Sequence, residues 1–318
     1  MNALEANPEL HIVFATRNRF VRYFPQHERL SLVGLNLEND FQGLTGIYKL
    51  FRFLKSKGEY TLVIDLHNVL RSQLLSFLFR LQKLKTYKLQ KNRRLKRNYI
   101  SGKNRQVLIS TMESYLKPFE KAGLGFHLHE IGSLYVKTAK SPIKETGHAL
   151  HIGLAPFSKH ATKLWPLEKF IELINSLNND WDIQFYIFGA DSEFSQASML
   201  DNNNVLNLCG VLSPSDEIPL IGNLDVMVSM DSANMHLADI LGIPVVSIWG
   251  GTHPDIGFRP AFQSEDDIIS SSVHLDCRPC SVYGKETCKL KSDPFLCLRS
   301  IQVKQLTDRI SWHLKKNH

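Results

Sequence analysis

Between Asp225 and Gly251 the chain reads DVMVSMDSANMHLADILGIPVVSIWGG, and the polar residues inside this run are of a kind that could hold an anion. An apolar strand ending at Met230 delivers Asp231 and Ser232, either able to cap a helix, to a helical pattern that starts at Ala233 and carries His236 one turn in. The pattern runs through Leu241, Gly242 closes it, and a second apolar strand, Pro244 to Trp249, ends in Gly250, Gly251 and Thr252. The unfilled N–H groups and the dipole of the helix start favour negative charge just beyond the carboxyl end of the first strand, and a phosphate suits that position. The small residues after the second strand would let backbone approach a diphosphate closely. Taken alone, the run is equally compatible with an ordinary strand–helix–strand crossover whose helix is capped.

A helix start can serve as an anion site only if a sheet carries it to an edge, so the rest of the chain has to supply that sheet. The amino-terminal half alternates strand-like and helix-like segments: Leu10 to Thr16, a helix over Leu44 to Lys57, a strand over Tyr60 to Leu66, and a helix entered from Val69. A second series begins at His148 with a strand (HALHIGLAP), then a helix over Leu167 to Leu177, a strand over Ile183 to Gly189 and a short strand over Val205 to Leu208. Such alternation predicts parallel sheets, and 318 residues are long for one core, so two domains are expected. The polar stretch Tyr135 to Gly147, containing Pro142, reads as the linker, and Gln302 to Lys316 as a terminal helix with Val303, Leu306, Ile310 and Leu314 near helical spacing.

The spacing of Asp231-Ser232-Ala233-Asn234-Met235-His236, Leu241-Gly242-Ile243-Pro244 and Gly250-Gly251-Thr252-His253-Pro254 resembles the carboxyl-terminal signature of glycosyltransferase family nine, the ADP-heptose:lipopolysaccharide heptosyltransferases. The family usually has glycine where this chain has Ala233; alanine keeps the N–H and adds a methyl, which implies tighter quarters. The resemblance implies an α/β GT-B fold, two doubly wound Rossmann-like domains facing a cleft. An acceptor-binding domain would span residues 1–140 and a nucleotide-sugar-binding domain residues 147–300, with residues 301–318 a terminal helix of the kind that packs back toward the first domain. It implies an inverting transfer of a sugar, heptose, from a nucleotide-diphosphate donor, ADP-heptose, to a lipopolysaccharide core acceptor, with no cofactor required.

The same resemblance assigns the donor to Ser158, Lys163, Asp231, Ser232, Ala233, His236, Gly250, Gly251 and Thr252. Lys163 stands just before Trp165-Pro166, where the family's lysine contacts the nucleotide-sugar phosphates. A cation there is chemically sensible, because the departing diphosphate gains negative charge as the glycosidic bond breaks. Asp65-Leu66-His67-Asn68 and Arg71-Ser72 resemble a family motif at an amino-domain strand end, which gives His67 and Arg71 acceptor-side roles. One part of the pattern has no counterpart: the family opens with a strand and a Gly-Asp loop carrying the aspartate held to be the general base. Here Ala3 to Glu9 resemble the end of the first family helix and its Asn-Pro turn. The expectation is an amino-terminally incomplete domain and a native product heavier than 36.3 kDa, since losing a general base commonly costs 10²- to 10⁴-fold in rate.

Charge is placed unevenly. From Leu66 to Met112 the chain has twelve Lys or Arg and no Asp or Glu, which leaves the remainder at −5 out of a net +7. A solvated face, a nucleic-acid patch, a grip on a phosphorylated acceptor and attachment to an anionic inner leaflet all compete for this stretch. Only Tyr87 and Tyr99 interleave its dense part, Lys88 to Arg97, and no RNP, KH or zinc-knuckle pattern is present, so no nucleic-acid partner is expected. The basic run follows a helical stretch, Arg71 to Lys83, whose apolar side includes Leu74, Leu75, Leu78 and Leu81. Such a flank suits a phosphorylated acceptor and a peripheral inner-membrane contact alike. The first twenty residues form no apolar signal core, and no apolar run reaches the roughly 18 residues that span a bilayer, so the expected location is cytoplasmic. Cys277, Cys280, Cys288 and Cys297 begin with a CxxC pair and read as a candidate structural zinc site, with free thiols or redox pairing as alternatives. The reading that competes with the enzyme as a whole is a non-catalytic basic nucleic-acid or membrane-surface binding protein on a degenerate transferase fold.

Overall fold

The computed structural model describes residues 1–131, 147 and 149–317. It divides into two units, Met1–Arg93 with Thr111–His129, and Arg94–Ser110 with Glu130–His318. The expected linker, Tyr135 to Gly147, and the boundary between residues 140 and 147 lie outside the described residues apart from Gly147.

The first unit holds four strands, β1 (Ile12–Arg17), β2 (Leu30–Leu35), β3 (Leu62–Asp65) and β4 (Lys85–Lys88), in two parallel pairs, β1 with β2 and β3 with β4. Both pairs lie on the helices Gly43–Lys55 and Leu70–Leu81, whose Leu50, Phe51, Leu54 and Phe79 cluster with Val33 and Leu35, with Val13 and Val63 packed against them. The apolar stripe of the second helix is rotated from the expected one: Leu75 and Leu78 pack on the cluster, but Phe79 fills it at 4% exposure while Leu81 stands 61% exposed.

The second unit is built on one parallel sheet of β5 (Leu150–Ala155), β6 (Ile183–Ile187), β7 (Val205–Asn207), β8 (Val226–Met230), β9 (Val245–Trp249) and β10 (Ile268–Ser270), in the order β7-β6-β5-β8-β9-β10. Every residue of β6, β8 and β9 is buried, which is why these strands read as unbroken apolar runs and not as alternating ones. On one face Ile152, Leu154, Val226, Val228, Val246 and Ile248 meet the helices Leu167–Asn178 and Val303–Asn317; on the other Met227, Val245 and Trp249 meet Pro214–Ile221 and Ala233–Ile240. Because all six strands run the same way, their carboxyl ends share one edge, and the order reverses between β5 and β8. Doubly wound sheets bind ligands at such a reversal.

The terminal helix belongs to this core: Leu306, Ile310 and Leu314 are fully buried in it. Asp267, just before β10, accepts from His313 Nε2 at 2.7 Å and from Arg309 Nε at 2.5 Å and so ties the helix to the sheet. Arg94–Ser110, from the basic stretch, packs with the rest of the second unit. The Tyr99 hydroxyl donates to Asp255 at 3.0 Å, the Leu108 N–H donates to the Asp255 carbonyl, and Lys96 lies over the Phe258 ring at 3.9 Å. Burial lowers the pKa of the Lys96 ammonium. Among the described residues no helix is long and apolar enough to cross a membrane.

Candidate functional site

At the carboxyl edge of the second sheet, β8 ends in Asp231 and β9 in Gly250-Gly251-Thr252. The loop after β5 returns through a short helical turn, Ala161–Lys163. The three meet in one cluster. Lys163 Nζ lies 3.0 Å from the Asp231 carboxylate, both side chains being only 12% and 11% exposed, and the Thr252 hydroxyl donates to the same carboxylate at 2.8 Å. Thr162, itself 2% exposed, fixes the turn that presents the lysine. Its carbonyl accepts from the Gly251 N–H at 2.7 Å, its N–H donates to the Lys285 carbonyl at 3.0 Å, and its hydroxyl accepts from the Lys285 N–H at 2.8 Å.

The helix Ala233–Ile240 starts beside this pair, and its start is not capped as the sequence predicts. Asp231 is turned onto Lys163 and Thr252, and the Ser232 hydroxyl is paired with Ser229 at 3.2 Å. The first-turn N–H groups therefore have no side-chain acceptor, a donor array that favours an anion. Ala233 is exposed there and His236 is half-buried. Burial lowers the His236 pKa; Asp231 and Asp239 pull it up and Lys163 pushes it down again, so the ring is neutral at pH 7 and can donate one hydrogen bond without adding charge. Ser158, half-buried in the loop after β5, completes the second-unit set.

The two glycines of the turn after β9 stand against close neighbours. A Cβ on Gly250 would lie 2.5 Å from Leu298 Cδ2, and one on Gly251 2.8 Å from both Thr162 Cβ and Cys280 Sγ. Their lack of a side chain lets Leu298, Thr162 and Cys280 pack this closely.

Three contributors escaped the sequence reading. Thr162 lies in the run that supplied Lys163 but is neither charged nor part of the matched motif. Arg278, inside the CxxC pair, donates from Nε to the Gly250 carbonyl at 2.8 Å and from Nη2 to Trp249 at 3.1 Å, fixing the turn after β9. Glu217 accepts from Asn234 Nδ2 at 3.4 Å, and burial raises its pKa although that bond opposes the shift. No local pattern flags Arg278 or Glu217, because their partners are distant in sequence.

All five cysteines are free, and Cys209 lies just past β7. Among the described residues no three His, Cys, Asp or Glu side chains are grouped so as to hold a metal ion. Burial drives the Cys297 thiol up to about 11 and also raises Cys280, whose thiol donates to the Gly251 carbonyl at 3.3 Å.

His67 and Arg71 belong to the first unit. There Asp65, ending β3, accepts from the N–H groups of His67 and Asn68 at 2.9 and 2.8 Å and from the Ser72 hydroxyl at 2.8 Å. This turn launches the Leu70–Leu81 helix and leaves the His67 side chain exposed and Arg71 half-buried. A groove of about 390 Å³ in the same unit is lined by Asn18, Asn36, Asp40, Phe41, Lys49 and Phe53, none of which the sequence patterns singled out.

The family model described as glycosyltransferase family 9 (heptosyltransferase) matches residues 47–291, more than half of the chain. The chain belongs to this family. It is a glycosyltransferase of the heptosyltransferase group, similar to lipooligosaccharide heptosyltransferase 2 of Campylobacter jejuni subsp. jejuni serotype O:2, with 24% identity over 234 residues that cover 70% of each chain. In structure this family 9 enzyme is similar to the glycosyl transferase family 9 protein from Veillonella parvula, at TM-score 0.71 and 15% identity over 98% of this chain and 91% of that one. It is also similar to E. coli ADP-heptose lps heptosyltransferase II, at TM-score 0.65 and 15% identity over 99% and 93%. These likenesses establish the GT-B fold of two Rossmann-like domains. The Asp231, His236 and Gly250 motifs all lie within the matched span, as does Lys163.

Proposed function

We propose that this enzyme transfers heptose, with inversion, from ADP-heptose to a lipopolysaccharide core acceptor, and that the Lys163–Asp231 cluster holds the donor diphosphate. The observation that carries this reading is the buried lysine beside an uncapped helix start at the switch point of a parallel sheet. A diphosphate there accepts from the first-turn N–H groups of Ala233–Ile240 and draws Lys163 toward its oxygens. Asp231, still bonded to Thr252, keeps the ammonium aimed. Neutral His236 donates to a phosphate oxygen or a sugar hydroxyl.

In the transfer, the acceptor hydroxyl oxygen forms its bond to the anomeric carbon from the face opposite the diphosphate. The anomeric C–O bond breaks, its electron pair leaves with ADP, and the hydroxyl proton passes to a base. Lys163 and the helix N–H groups lower the barrier because the charge they face grows as that bond breaks. Donors of the same class differ only beyond the diphosphate, so the adenine and heptose assignments rest on kinship: the similar enzymes are named for heptose, and one of them for ADP-heptose. His67, Arg71 and the basic stretch suit the phosphates and acidic sugars of such an acceptor, reached from the cytoplasm with peripheral contact at the inner membrane.

Calorimetric titration with ADP, and with UDP and GDP as controls, tests the donor. Saturable binding of ADP alone is expected. Preference for UDP or GDP would reassign the base, and a folded sample that binds none of the three would remove the donor site altogether.

A further inference from the structure

Beyond the carboxyl ends of β9 and β10 the second unit has a cavity of about 470 Å³, within the range of small-ligand sites. None of its lining residues belongs to the donor set. His253 enters it from the turn after β9, and Ser272, Val273 and Leu275 from the segment after β10. Arg278, further along that segment, and Arg105, from the stretch Arg94–Ser110, complete the wall.

Two guanidinium groups share this cavity, and neither is held by an acid. Arg278 donates from Nε and Nη2 to the carbonyls of Gly250 and Trp249. Arg105 donates from Nη1 to the Arg278 carbonyl at 3.2 Å, and its guanidinium lies 5.4 Å from the centre of the buried Tyr99 ring. Such partners fix the direction of a guanidinium and leave its charge uncancelled. Among the described residues no carboxylate forms an ion pair with either arginine. Asp255 is near enough for Arg278 to feel its charge, but it accepts from the Tyr99 hydroxyl at 3.0 Å. Asp276, on the rim, is fully exposed and paired with His274 at 3.2 Å, so water screens it.

Both cations act on His253. Burial lowers its pKa; Asp255 pulls it up and Arg278 and Arg105 push it down again, which leaves a neutral ring at pH 7. Nδ1 accepts from the Asp255 N–H at 3.3 Å, so the ring proton sits on Nε2, a donor with no partner among the described residues. Two fixed cations, this N–H and the Ser272 hydroxyl stand beside the apolar Val273 and Leu275. That mixture suits a ring that presents hydroxyls and C–H groups and carries an oxyanion, which guanidinium forks bind through paired hydrogen bonds.

We propose that this cavity is an oxyanion site for the carboxylate or phosphate of an acidic sugar, gripped by Arg105 and Arg278 with His253 as a further donor. His253 directly follows Thr252, whose hydroxyl is bonded to Asp231, so a sugar held here is one residue along the chain from the donor cluster. In the transfer proposed above its occupant is the acceptor. That assignment rests on the transfer, whereas the oxyanion chemistry does not.

Calorimetric titration of the 318-residue chain with glucuronate, inorganic phosphate and glucose, each with and without ADP, tests the site. Saturable glucuronate binding that ADP does not displace is expected, with none for glucose. Arg105→Gln, at an exposed position, is expected to weaken it at least about tenfold. Glucuronate binding tighter than phosphate assigns the site to a sugar carboxylate, and the reverse order assigns it to a phosphate group; either supports an oxyanion site. Binding of neither anion, equal binding of glucose, or displacement by ADP overturns the proposal. Each of these is read separately from whether ADP itself binds, so loss of the donor reading and loss of this one are distinct results. A second readout needs no variant: phenylglyoxal modifies guanidinium groups, and peptide mass spectrometry should find Arg105 labelled at least about tenfold more slowly in saturating glucuronate. Glucuronate binding that leaves this labelling unchanged would place the ligand elsewhere and overturn the proposal.

Discussion

At the scale of single residues, the site is an ion pair whose partners the sequence names separately and whose bond it cannot show. Lys163 and Asp231 were each legible, the lysine from its position before Trp165-Pro166 and the aspartate from the strand end. Their contact, and the Thr252 hydroxyl that shares the carboxylate, arise only because β5, β8 and β9 end at one edge. The same separation hid Arg278. A buried pair predicts asymmetric mutants, since removing one partner strands the other charge at a cost of about 3–5 kcal/mol. Asp231→Ala is therefore expected to lower unfolding stability by about 3 kcal/mol in urea titrations, because it leaves the Lys163 ammonium without its counter-ion. Lys163→Ala should weaken ADP binding by roughly ten- to hundredfold, the range of a lost charge-assisted contact, and unchanged affinity would take this lysine out of the site. The glycines predict strain without a ligand: Gly250→Ala pushes a methyl into Leu298 and the Thr162 carbonyl and should cost about 1–3 kcal/mol in the same assay.

At the scale of elements, legibility follows burial. β5, β6, β8 and β9 are covered on both faces, so their sequences are apolar runs with sharp ends, legible to within a few residues. β4, with the sequence KTYK, and the helix Arg93–Ile100 went unread because their charges fit a solvated stretch as well as an element. The terminal helix was legible through its apolar stripe, but its anchor was not: Asp267 meets His313 and Arg309 across the sequence. Burial alone would raise the Asp267 pKa, yet hydrogen bonds from His313 and Arg309 outweigh it and hold the carboxyl below its ordinary value. A carboxylate with a lowered folded pKa contributes stability that is full above its unfolded pKa of 3.8 and is lost as pH falls through the folded value. Asp267→Asn is expected to cost about 3 kcal/mol at pH 7, with the difference from wild type closing below that window. A difference that stays constant down to pH 2 would exclude the carboxylate as its source.

At the scale of the whole molecule, the two units are unequal as folding units. The second buries two clusters on a continuous six-stranded sheet, while the first rests on one smaller cluster beneath two separate strand pairs. Hydrophobic stabilisation grows with apolar area removed from water, so the 318-residue chain should not unfold as one cooperative body. Urea titration is expected to give two transitions, the first unit melting earlier. Hydrogen exchange should assign β1 to β4 to the weaker one and β5, β8 and β9 to the stronger. The Lys163–Asp231 cluster lies wholly in the second unit, so ADP at 100 times its Kd should raise the later transition by about 2.7 kcal/mol and leave the earlier one in place. A single transition coincident by fluorescence and circular dichroism would contradict the inequality. An ADP shift confined to the earlier transition would move the donor site to the other unit.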